Sequence, residues 1–207
     1  MSLQDDLWDN EPVLDYLRAR GFRDDTIAEA ELGYVSDPSS RYYHSIAIPY
    51  HDALGRHRTT RYRHLRPEMA KKRKYESEVG GHAHLYGVQL VREPTVYLCE
   101  GEFDALILRQ MGLQAVGVPG ANAWQRPWRW LFRDCDLVVV VFDIDAPRKG
   151  PGGKEFRPGQ EGSRKVVGQL SQIVPVREID EDSGWPEGHD INSLYLSNPD
   201  LLRRVLT

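Results

Sequence analysis

The feature that most constrains the fold is an uninterrupted apolar run from Leu137 to Phe142. Because no polar residues alternate with the apolar ones, the run is typical of a central parallel strand that is covered on both faces. Strand-like and helix-like segments alternate around it from residue 95 onwards, which predicts a parallel sheet with right-handed crossovers. The predicted strands are 95–99, 114–118, 137–142 and 173–179, and the predicted helices are 102–110, 124–132, 162–171 and a short one from 198, with a loop over 145–161.

The first ninety residues have a different pattern, in which two short helical segments precede a hairpin. The predicted elements are helices over 12–20 and 24–30, strands over 45–50 and 56–65, and an ordered loop without regular structure over 66–84. The second strand alternates Thr, Tyr and Arg, which predicts an exposed face rich in arginine. We therefore predict an α+β N-terminal subdomain over residues 1–92 and an α/β domain with a mainly parallel, Rossmann-like sheet over residues 93–207.

Charge is distributed unevenly along the chain, although the net charge is only -4. Residues 1–40 carry ten acids and three bases, residues 41–92 carry eleven bases and four acids, and residues 93–207 carry seventeen acids and thirteen bases. A basic block beside an acidic one predicts that one part of the molecule binds a polyanion and another part does the chemistry. A solvated basic face without a ligand is the alternative explanation of this block alone.

Other features of the sequence exclude several classes of protein. The longest run of aliphatic and aromatic residues is six long, whereas a membrane helix needs ~20. The N-terminus has neither the basic nor the apolar region of a secretory signal. Cys99 and Cys135 are too few for a disulfide framework or a four-cysteine zinc site, and both lie in or beside apolar stretches. A cytoplasmic protein with no membrane partner is therefore expected.

Acidic residues follow three of the predicted strands. Glu100 and Asp104 come after the first strand, Asp143 and Asp145 come directly after the buried run, and Asp190 follows the last strand. The carboxyl ends of parallel strands meet at one edge of a sheet, where ligands bind. Carboxylates that converge repel one another unless a cation lies between them, and hard oxygen ligands suit Mg²⁺ or Mn²⁺. The sequence therefore predicts a divalent-cation site at this edge.

These acidic motifs, in this order and on these elements, resemble the Toprim domain, which DnaG-type primases, topoisomerases and some nucleases share. The motifs are Glu100-Gly101-x-x-Asp104, Asp143-x-Asp145 and Asp190-x-Asn192. The preceding segment resembles the front half of a bacterial-type primase core through Gly33-Tyr34, Ile46-Ala-Ile-Pro-Tyr50, the Gly55 turn, Arg61-x-Arg63, Lys74-Tyr75 and Leu85-Tyr86-Gly87. With both halves, residues 12–196 resemble the catalytic core of a DnaG-type DNA primase in a shortened phage or mobile-element form.

The resemblance implies a DNA primase, a nucleotidyltransferase of DNA replication that makes short RNA primers from ribonucleoside triphosphates on a single-stranded DNA template. It implies Mg²⁺ or Mn²⁺ as cofactor, with Glu100, Asp143, Asp145 and Asp190 as metal ligands and Asp104 as a further catalytic carboxylate. The residues expected to contact nucleic acid or nucleotide are Arg56, Arg58, Arg61, Arg63, Lys71, Lys72, Arg73, Lys74, Tyr75, Gly101, Gly120 and Asn192. The expected role of the basic residues is to bind phosphates, and that of Tyr75 is to stack on an unpaired base.

The chain also departs from the primase pattern. His189 stands where the family often has Lys, and Asn192 stands where Asp is frequent, which lowers the local negative charge by one. Neither a zinc-binding module nor a helicase-binding domain is evident, so a replicative helicase or a separate zinc-binding chain is an expected partner. Two other functions keep the same acids: a nuclease or topoisomerase-related phosphodiester enzyme, and a non-catalytic module that binds single-stranded nucleic acid.

Overall fold

The computed structural model describes residues 2–149 and 155–207 and divides the chain into two compact units. They are the N-terminal unit, Met1–His84, and the C-terminal unit, Leu85–Thr207. The sequence pattern places the boundary after residue 92 instead. Leu85 and Val91 pack in the core of the C-terminal unit, and Tyr86 forms a bridge with Gly117 there, so the segment that precedes the first parallel strand belongs to the second unit.

The N-terminal unit consists of four helices and an antiparallel sheet. Its elements are α1 Leu3–Trp8, α2 Glu11–Ala19, α3 Asp24–Glu29, β1 Gly33–Tyr34, β2 Ser45–His51, β3 His57–His64, α4 Pro67–Lys72 and β4 Tyr75–Ser77. The sheet order is β1-β2-β3-β4, with each neighbouring pair antiparallel. The prediction of an ordered loop without regular structure over 66–84 is wrong, because α4 and β4 lie within it. Strand β4 pairs with β3 and so gives β3 a neighbour on both sides.

The C-terminal unit has a parallel sheet with helices and a small hairpin. Its elements are β5 Thr95–Cys99, α5 Glu102–Gln110, β6 Ala115–Gly117, β7 Leu137–Val141, β8 Arg148–Lys149, β9 Glu155–Phe156, α6 Pro158–Leu170, β10 Val176–Ile179, α7 Ile191–Ser197 and α8 Pro199–Leu206. Between β6 and β7 the segment Arg126–Phe132 is a 3-10 helix rather than the predicted α-helix. Strands β8 and β9 form the hairpin; residues 150–154 of the predicted loop lie outside the described residues.

The parallel sheet has the order β10-β7-β5-β6, and every pair in it is parallel. The chain goes from β5 outward to β6 and then returns to the other side of β5 to form β7. The order of the strands therefore reverses between β5 and β7, and in sheets of this kind ligands bind outside the carboxyl ends of the strands at such a point. The valines of β7 are almost completely buried, as the apolar run predicts.

The core of the C-terminal unit lies between this sheet and its helices. Val96, Leu98, Val138 and Val140 contribute one face of it, and Phe132 is fully buried against the same cluster. A continuous apolar core of this kind stabilises the sheet and keeps the strand ends in fixed positions. Among the residues that the structure describes, none of the helices has both the length and the apolar character of a membrane span.

Candidate active site

The candidate site is the acidic edge of the parallel sheet, formed by Glu100, Asp104, Asp143, Asp145 and Asp190. Strands β5 and β7 are paired so that Cys99 lies opposite Val141. Glu100 and Asp143 follow these two residues along the chain, so they leave the sheet at its carboxyl edge from adjacent strands. This is the point where the strand order reverses. The predicted convergence of the acidic residues is therefore present in the fold.

The strongest electrostatic effect at the acidic edge falls on Asp143. Burial of its carboxyl group is the first cause, and the charges of Asp104, Glu100, Asp190 and Asp145 add to it; together they raise the pKa of Asp143 to about 9. All five causes act in the same direction. Positive charge supplied from elsewhere would lower this pKa and favour the charged carboxylate.

Asp145 is held by a more specific set of contacts. Its Oδ2 accepts a hydrogen bond from the backbone N–H of Gly159 at 2.9 Å, at the beginning of α6. Its Oδ1 forms an ion pair with Arg148 at 2.7 Å, in which the arginine side chain is 62% exposed and that of Asp145 is 17% exposed. Gln160 holds the backbone of Asp145 from both sides: its Oε1 accepts from the amide N–H, and its Nε2 donates to the carbonyl.

Helix α6 begins unusually close to the strand end because its second residue is glycine. A Cβ atom at Gly159 would overlap the carbonyl oxygen of Asp143 and lie 3.2 Å from Oδ2 of Asp145. Any larger residue would therefore push the first turn of α6 away from the acidic edge. This helix begins at Pro158, four residues before the predicted start at 162, and it is this first turn that contacts the acids.

The loop that carries Glu100 is held by backbone contacts from the neighbouring strand. The N–H of Gly120 donates to the carbonyl of Glu100 at 3.0 Å, and Gly120 adopts a φ of +110°, which glycine tolerates best. A Cβ atom at Gly117 would lie 2.7 Å from the carbonyl oxygen of Gly101. Gly101 precedes the first residue of α5, and a Cβ there would lie 3.1 Å from Oδ2 of Asp104. These glycines therefore allow the backbone to pack closely beneath the carboxylates.

Asp190 and Asn192 lie at the beginning of α7. The Asp190 side chain accepts from the backbone N–H of Ser193 at 2.6 Å and so caps this helix. Asn192 is buried in the first turn. The N–H of Gly188 donates to the carbonyl of Ile144, which ties this loop to the segment between Asp143 and Asp145. Asp190 therefore has a structural role as a helix cap in addition to its effect on the pKa of Asp143.

The chemistry of the donors at the acidic edge fits a hard divalent cation. The donors are hard carboxylate oxygens, and their mutual repulsion is of the kind that a divalent cation removes. Within residues 2–149 and 155–207, however, no three His, Cys, Asp or Glu side chains are already arranged so as to hold a metal ion. The type of donor fits Mg²⁺ or Mn²⁺, and the identity of the individual ligands stays a prediction.

The predicted arginine-rich face of β3 is only partly exposed, and Arg63 corrects the prediction. Its side chain is buried; its Nε donates to the hydroxyl of Tyr16 at 3.0 Å, and its Nη1 contacts the hydroxyl of Tyr75. The physical reason is that Tyr75 of β4, the strand that pairs beside β3, and Tyr16 of α2 both contact the guanidinium. Tyr62 is also buried, stacks on Tyr42 with ring centroids 3.8 Å apart, and has a pKa raised to about 12, chiefly by burial.

The other predicted phosphate-binding residues lie nearer the surface of the N-terminal unit. Arg61 is half-buried, and its guanidinium lies 4.6 Å from the centroid of the half-buried Tyr75 ring. The exposed members are Arg56, Arg58, Lys71, Lys72, Arg73 and Lys74. Two of them have acidic partners within the unit: Arg56 pairs with Asp52 at 2.8 Å and Arg73 pairs with Glu76 at 3.3 Å. A phosphate-binding role for this set stays a prediction.

Three residues at the acidic edge are absent from the sequence-based prediction: Arg148, Gly159 and Gln160. Arg148 lies three residues after Asp145, a separation that permits an ion pair, but the same spacing occurs by chance in many loops. Gly159 follows a proline that begins a helix, which is the one available signal. Gln160 carries no signal in the sequence, because its importance depends on where α6 begins.

No protein-family model matches the chain. The Gene 57 protein of Mycobacterium phage D29 is 33% identical over 130 residues, which are 61% of this chain and 72% of the phage protein. The chain belongs to the family of this phage protein. A phage relative agrees with the phage or mobile-element origin that the sequence suggests.

Solved structures establish the fold. The Aquifex aeolicus primase, in a structure of its zinc-binding and RNA polymerase domains, superposes with a TM-score of 0.73 at 19% identity; the match covers 98% of this chain and 57% of that one. The RNA polymerase domain of the Mycobacterium tuberculosis primase DnaG, in complex with a double-stranded DNA oligomer with a 6-nucleotide overhang, has a TM-score of 0.71 at 17% identity, with 99% and 75% covered. The chain therefore has the fold of the DnaG primase catalytic core, which confirms the predicted Toprim fold class.

Proposed function

We propose that this chain is a primase-type nucleotidyltransferase that joins ribonucleotides into short primers on single-stranded DNA. The observation that carries the proposal is the acidic edge, where carboxylates from β5 and β7 crowd around Asp143 at the point of strand reversal. The shared fold of DnaG catalytic cores supports the same reaction class, and the DNA-bound state of the Mycobacterium tuberculosis relative supports a nucleic-acid substrate.

Glu100, Asp143 and Asp145, with Asp190, are the residues that would hold Mg²⁺ or Mn²⁺. A divalent cation supplies charge neutralisation on the triphosphate and a lower pKa for the attacking 3′-hydroxyl. In this proposal Glu100 accepts the proton of that hydroxyl, because it leaves the central strand pair beside Asp143. Asp104, at the first turn of α5, contributes to the field that the other carboxylates experience.

Other residues that contact the acidic edge hold its carboxylates in position. Gln160 and the N–H of Gly159 hold Asp145 in one orientation, and Gly120 holds the backbone of Glu100. Positioning of this kind lowers the barrier because the reacting groups need not be ordered at the moment of reaction. The exposed basic residues of the N-terminal unit bind phosphates of the template or the triphosphate in this proposal.

The test is an assay of primer synthesis with single-stranded DNA, labelled ribonucleoside triphosphates and Mg²⁺ or Mn²⁺. The variants are Glu100→Gln, Asp143→Asn and Asp145→Asn, which keep the side-chain volume and remove the charge. Each is expected to lower the rate on the order of 100-fold or more while the fold survives. The control is Asp200→Asn, an exposed acid of the same unit in the first turn of α8.

The products of the assay separate the candidate functions. Labelled oligomers that require the template support a primase. Nicked or shortened DNA without oligomers indicates the nuclease, and binding without chemistry indicates a non-catalytic module. Wild-type rates in all three variants would contradict the assignment of the acidic edge.

A further inference from the structure

The C-terminal unit carries a second charged surface, which lies away from the acidic edge. This arginine–tryptophan patch consists of Arg126, Arg129, Trp130 and Arg133 in and after the 3-10 helix that precedes β7. Trp130 is 52% exposed, Arg126 and Arg133 are exposed, and Arg129 is half-buried. No acidic residue occurs in the sequence from Ala121 to Arg133, and the exposed Asp134 that follows pairs with Arg133 at 3.4 Å. The predicted strand-and-helix pattern does not explain why a large aromatic ring is exposed here.

The indole of Trp130 is held in place by a neighbouring cation. The guanidinium of Arg129 lies 4.9 Å from the Trp130 ring centroid, and its Nη1 donates to Oε1 of Gln172 at 2.6 Å. Gln172 therefore fixes the guanidinium, and the guanidinium orients the ring. A fixed aromatic ring with an exposed surface loses little conformational entropy when another planar group stacks on it.

The position of the patch follows from the elements that surround it. The N–H groups of Asp136 and Leu137 donate to the carbonyl of Pro94, so the patch precedes the amino-terminal end of β7. Gln172, its partner, follows the end of α6, whose first turn contacts the acidic edge. The 13 residues of α6 span roughly 20 Å. The patch therefore cannot contact the reacting atoms and must bind a different part of any ligand.

We infer that the arginine–tryptophan patch binds single-stranded nucleic acid, with one base stacked on Trp130 and phosphates bound by Arg126 and Arg133. Charge is the main argument, because the three arginines carry more charge than Asp134, which pairs with Arg133 at 3.4 Å, and a net positive surface attracts a polyanion. Stacking on an aromatic ring beside cationic side chains is how proteins bind single strands without sequence preference. A protein-docking surface would offer more apolar area, whereas Leu131, 39% exposed, is the one other exposed large apolar side chain among the described residues of this segment.

The chain offers a matched control in Trp8. This tryptophan is 40% exposed on α1 of the N-terminal unit, and its sequence neighbours include Asp5, Asp6 and Asp9. The two tryptophans are alike in exposure and opposite in the charge around them. If stacking on any exposed indole were enough, both would contribute to binding; if the inference is right, only Trp130 does.

The experiment measures the affinity of the full chain for fluorescein-labelled oligomers of twelve thymidines or twelve uridines, by fluorescence anisotropy at several salt concentrations. Trp130→Ala is expected to weaken binding about 5- to 100-fold, the range found for the loss of one stacked base. Trp130→Phe keeps a ring and is expected to retain most of the affinity. Trp8→Ala is expected to leave it unchanged. An Arg126→Gln, Arg133→Gln double variant should flatten the log–log salt slope by ~1.4, which is ~0.7 for each lost phosphate contact.

The inference rests on the proposed function only in that the chain must bind single strands, and the two fail in different ways. A wild-type chain that binds the oligomers but makes no primers counts against the proposed function alone. Equal affinity and salt slope for Trp130→Ala and wild type overturn the patch, as does an equal loss in Trp8→Ala, and each would leave a protein partner as the occupant. A wild-type chain that binds neither oligomer overturns both proposals. A preference for the DNA or the RNA oligomer shows whether template or primer is the ligand.

Discussion

The two units carry charge clusters that differ in how the fold compensates them. In the N-terminal unit the buried Glu76 contacts Arg41, Arg73 and His64, and the buried Arg63 contacts two tyrosine hydroxyls. In the C-terminal unit Asp143 instead faces four other carboxylates, and its pKa rises. A buried charge with internal partners therefore serves the fold, whereas a crowd of like charges indicates a site for an ion or ligand from outside.

The largest effect on the free energy of unfolding is expected at Gly159, where the backbone of α6 packs against the acidic edge. Gly159→Ala places a Cβ against the carbonyl oxygen of Asp143, and overpacking of this kind costs about 3 kcal/mol in the free energy of unfolding. Gly168→Ala in the same helix is the matched control, because no heavy atom lies within 4 Å of its Cβ position. It should stabilise the chain by about 0.4–1 kcal/mol. Urea denaturation of both variants checks this, and equal effects would show that α6 tolerates a shift at its first turn.

The next largest effect is on the free energy of unfolding, which should fall more when the buried Arg63 of β3 is replaced than when the exposed Arg58 is. Arg63→Ala leaves the hydroxyls of Tyr16 and Tyr75 without this partner, and we expect a loss of about 2 kcal/mol in the free energy of unfolding. Arg58→Ala, on the same strand but exposed, should change stability by less than about 0.5 kcal/mol.

Binding should show the opposite order for these two variants. If Arg58 contacts a phosphate, its loss flattens the salt slope of single-strand binding by ~0.7. Thermal melts test the predicted difference in stability, and binding measurements at several salt concentrations test the predicted difference in salt slope. A large loss of stability in Arg58→Ala with none in Arg63→Ala would contradict the distinction between compensated and exposed charge.

The smallest effect concerns Arg148, which forms an ion pair with Asp145 of the acidic edge. Because the pair is partly exposed, it is worth about 0.2–1 kcal/mol, so Arg148→Gln should raise the affinity for Mg²⁺ or Mn²⁺ about 1.5- to 5-fold. Isothermal titration calorimetry measures this, with the adjacent exposed Lys149→Gln as control. Equal gains in both variants would indicate a general charge effect, and no gain in Arg148→Gln would mean that the ion pair does not compete with the metal.

Much of the acidic edge could be predicted from the sequence, because acidic residues that directly follow parallel strands meet at one edge of the sheet. An apolar run followed by Asp143 and Asp145 is sufficient to place both residues at a strand end. The burial of Arg63 could not be predicted, because it depends on β4, a three-residue strand too short to show periodicity. The contacts of Gly159 and Gln160 depend on the exact start of α6, which Gly and Pro residues obscure in the sequence.

The exposure of Trp130 in the arginine–tryptophan patch could not be predicted from the sequence either. Its residues lie in a segment whose apolar spacing predicts a helix packed on the core, and Phe132 and Trp124 are indeed buried. The 3-10 geometry of Arg126–Phe132 places Trp130 on the outside instead. With about three residues per turn rather than 3.6, the positions that share a face differ from those of an α-helix.

The central claim is that the crowded carboxylates of the acidic edge bind a divalent cation, and thermal melting with and without Mg²⁺ tests it most directly. With a dissociation constant of about 1 mM, a concentration of about 10 mM Mg²⁺ stabilises the wild-type fold by ~1.4 kcal/mol. For a chain of this length that raises Tm by roughly 3–6 °C. An Asp143→Asn, Asp145→Asn double variant should melt higher than wild type in chelator, because the repulsion is reduced, and should gain little from Mg²⁺. A double variant that responds to Mg²⁺ as strongly as wild type would contradict the claim and place the cation elsewhere.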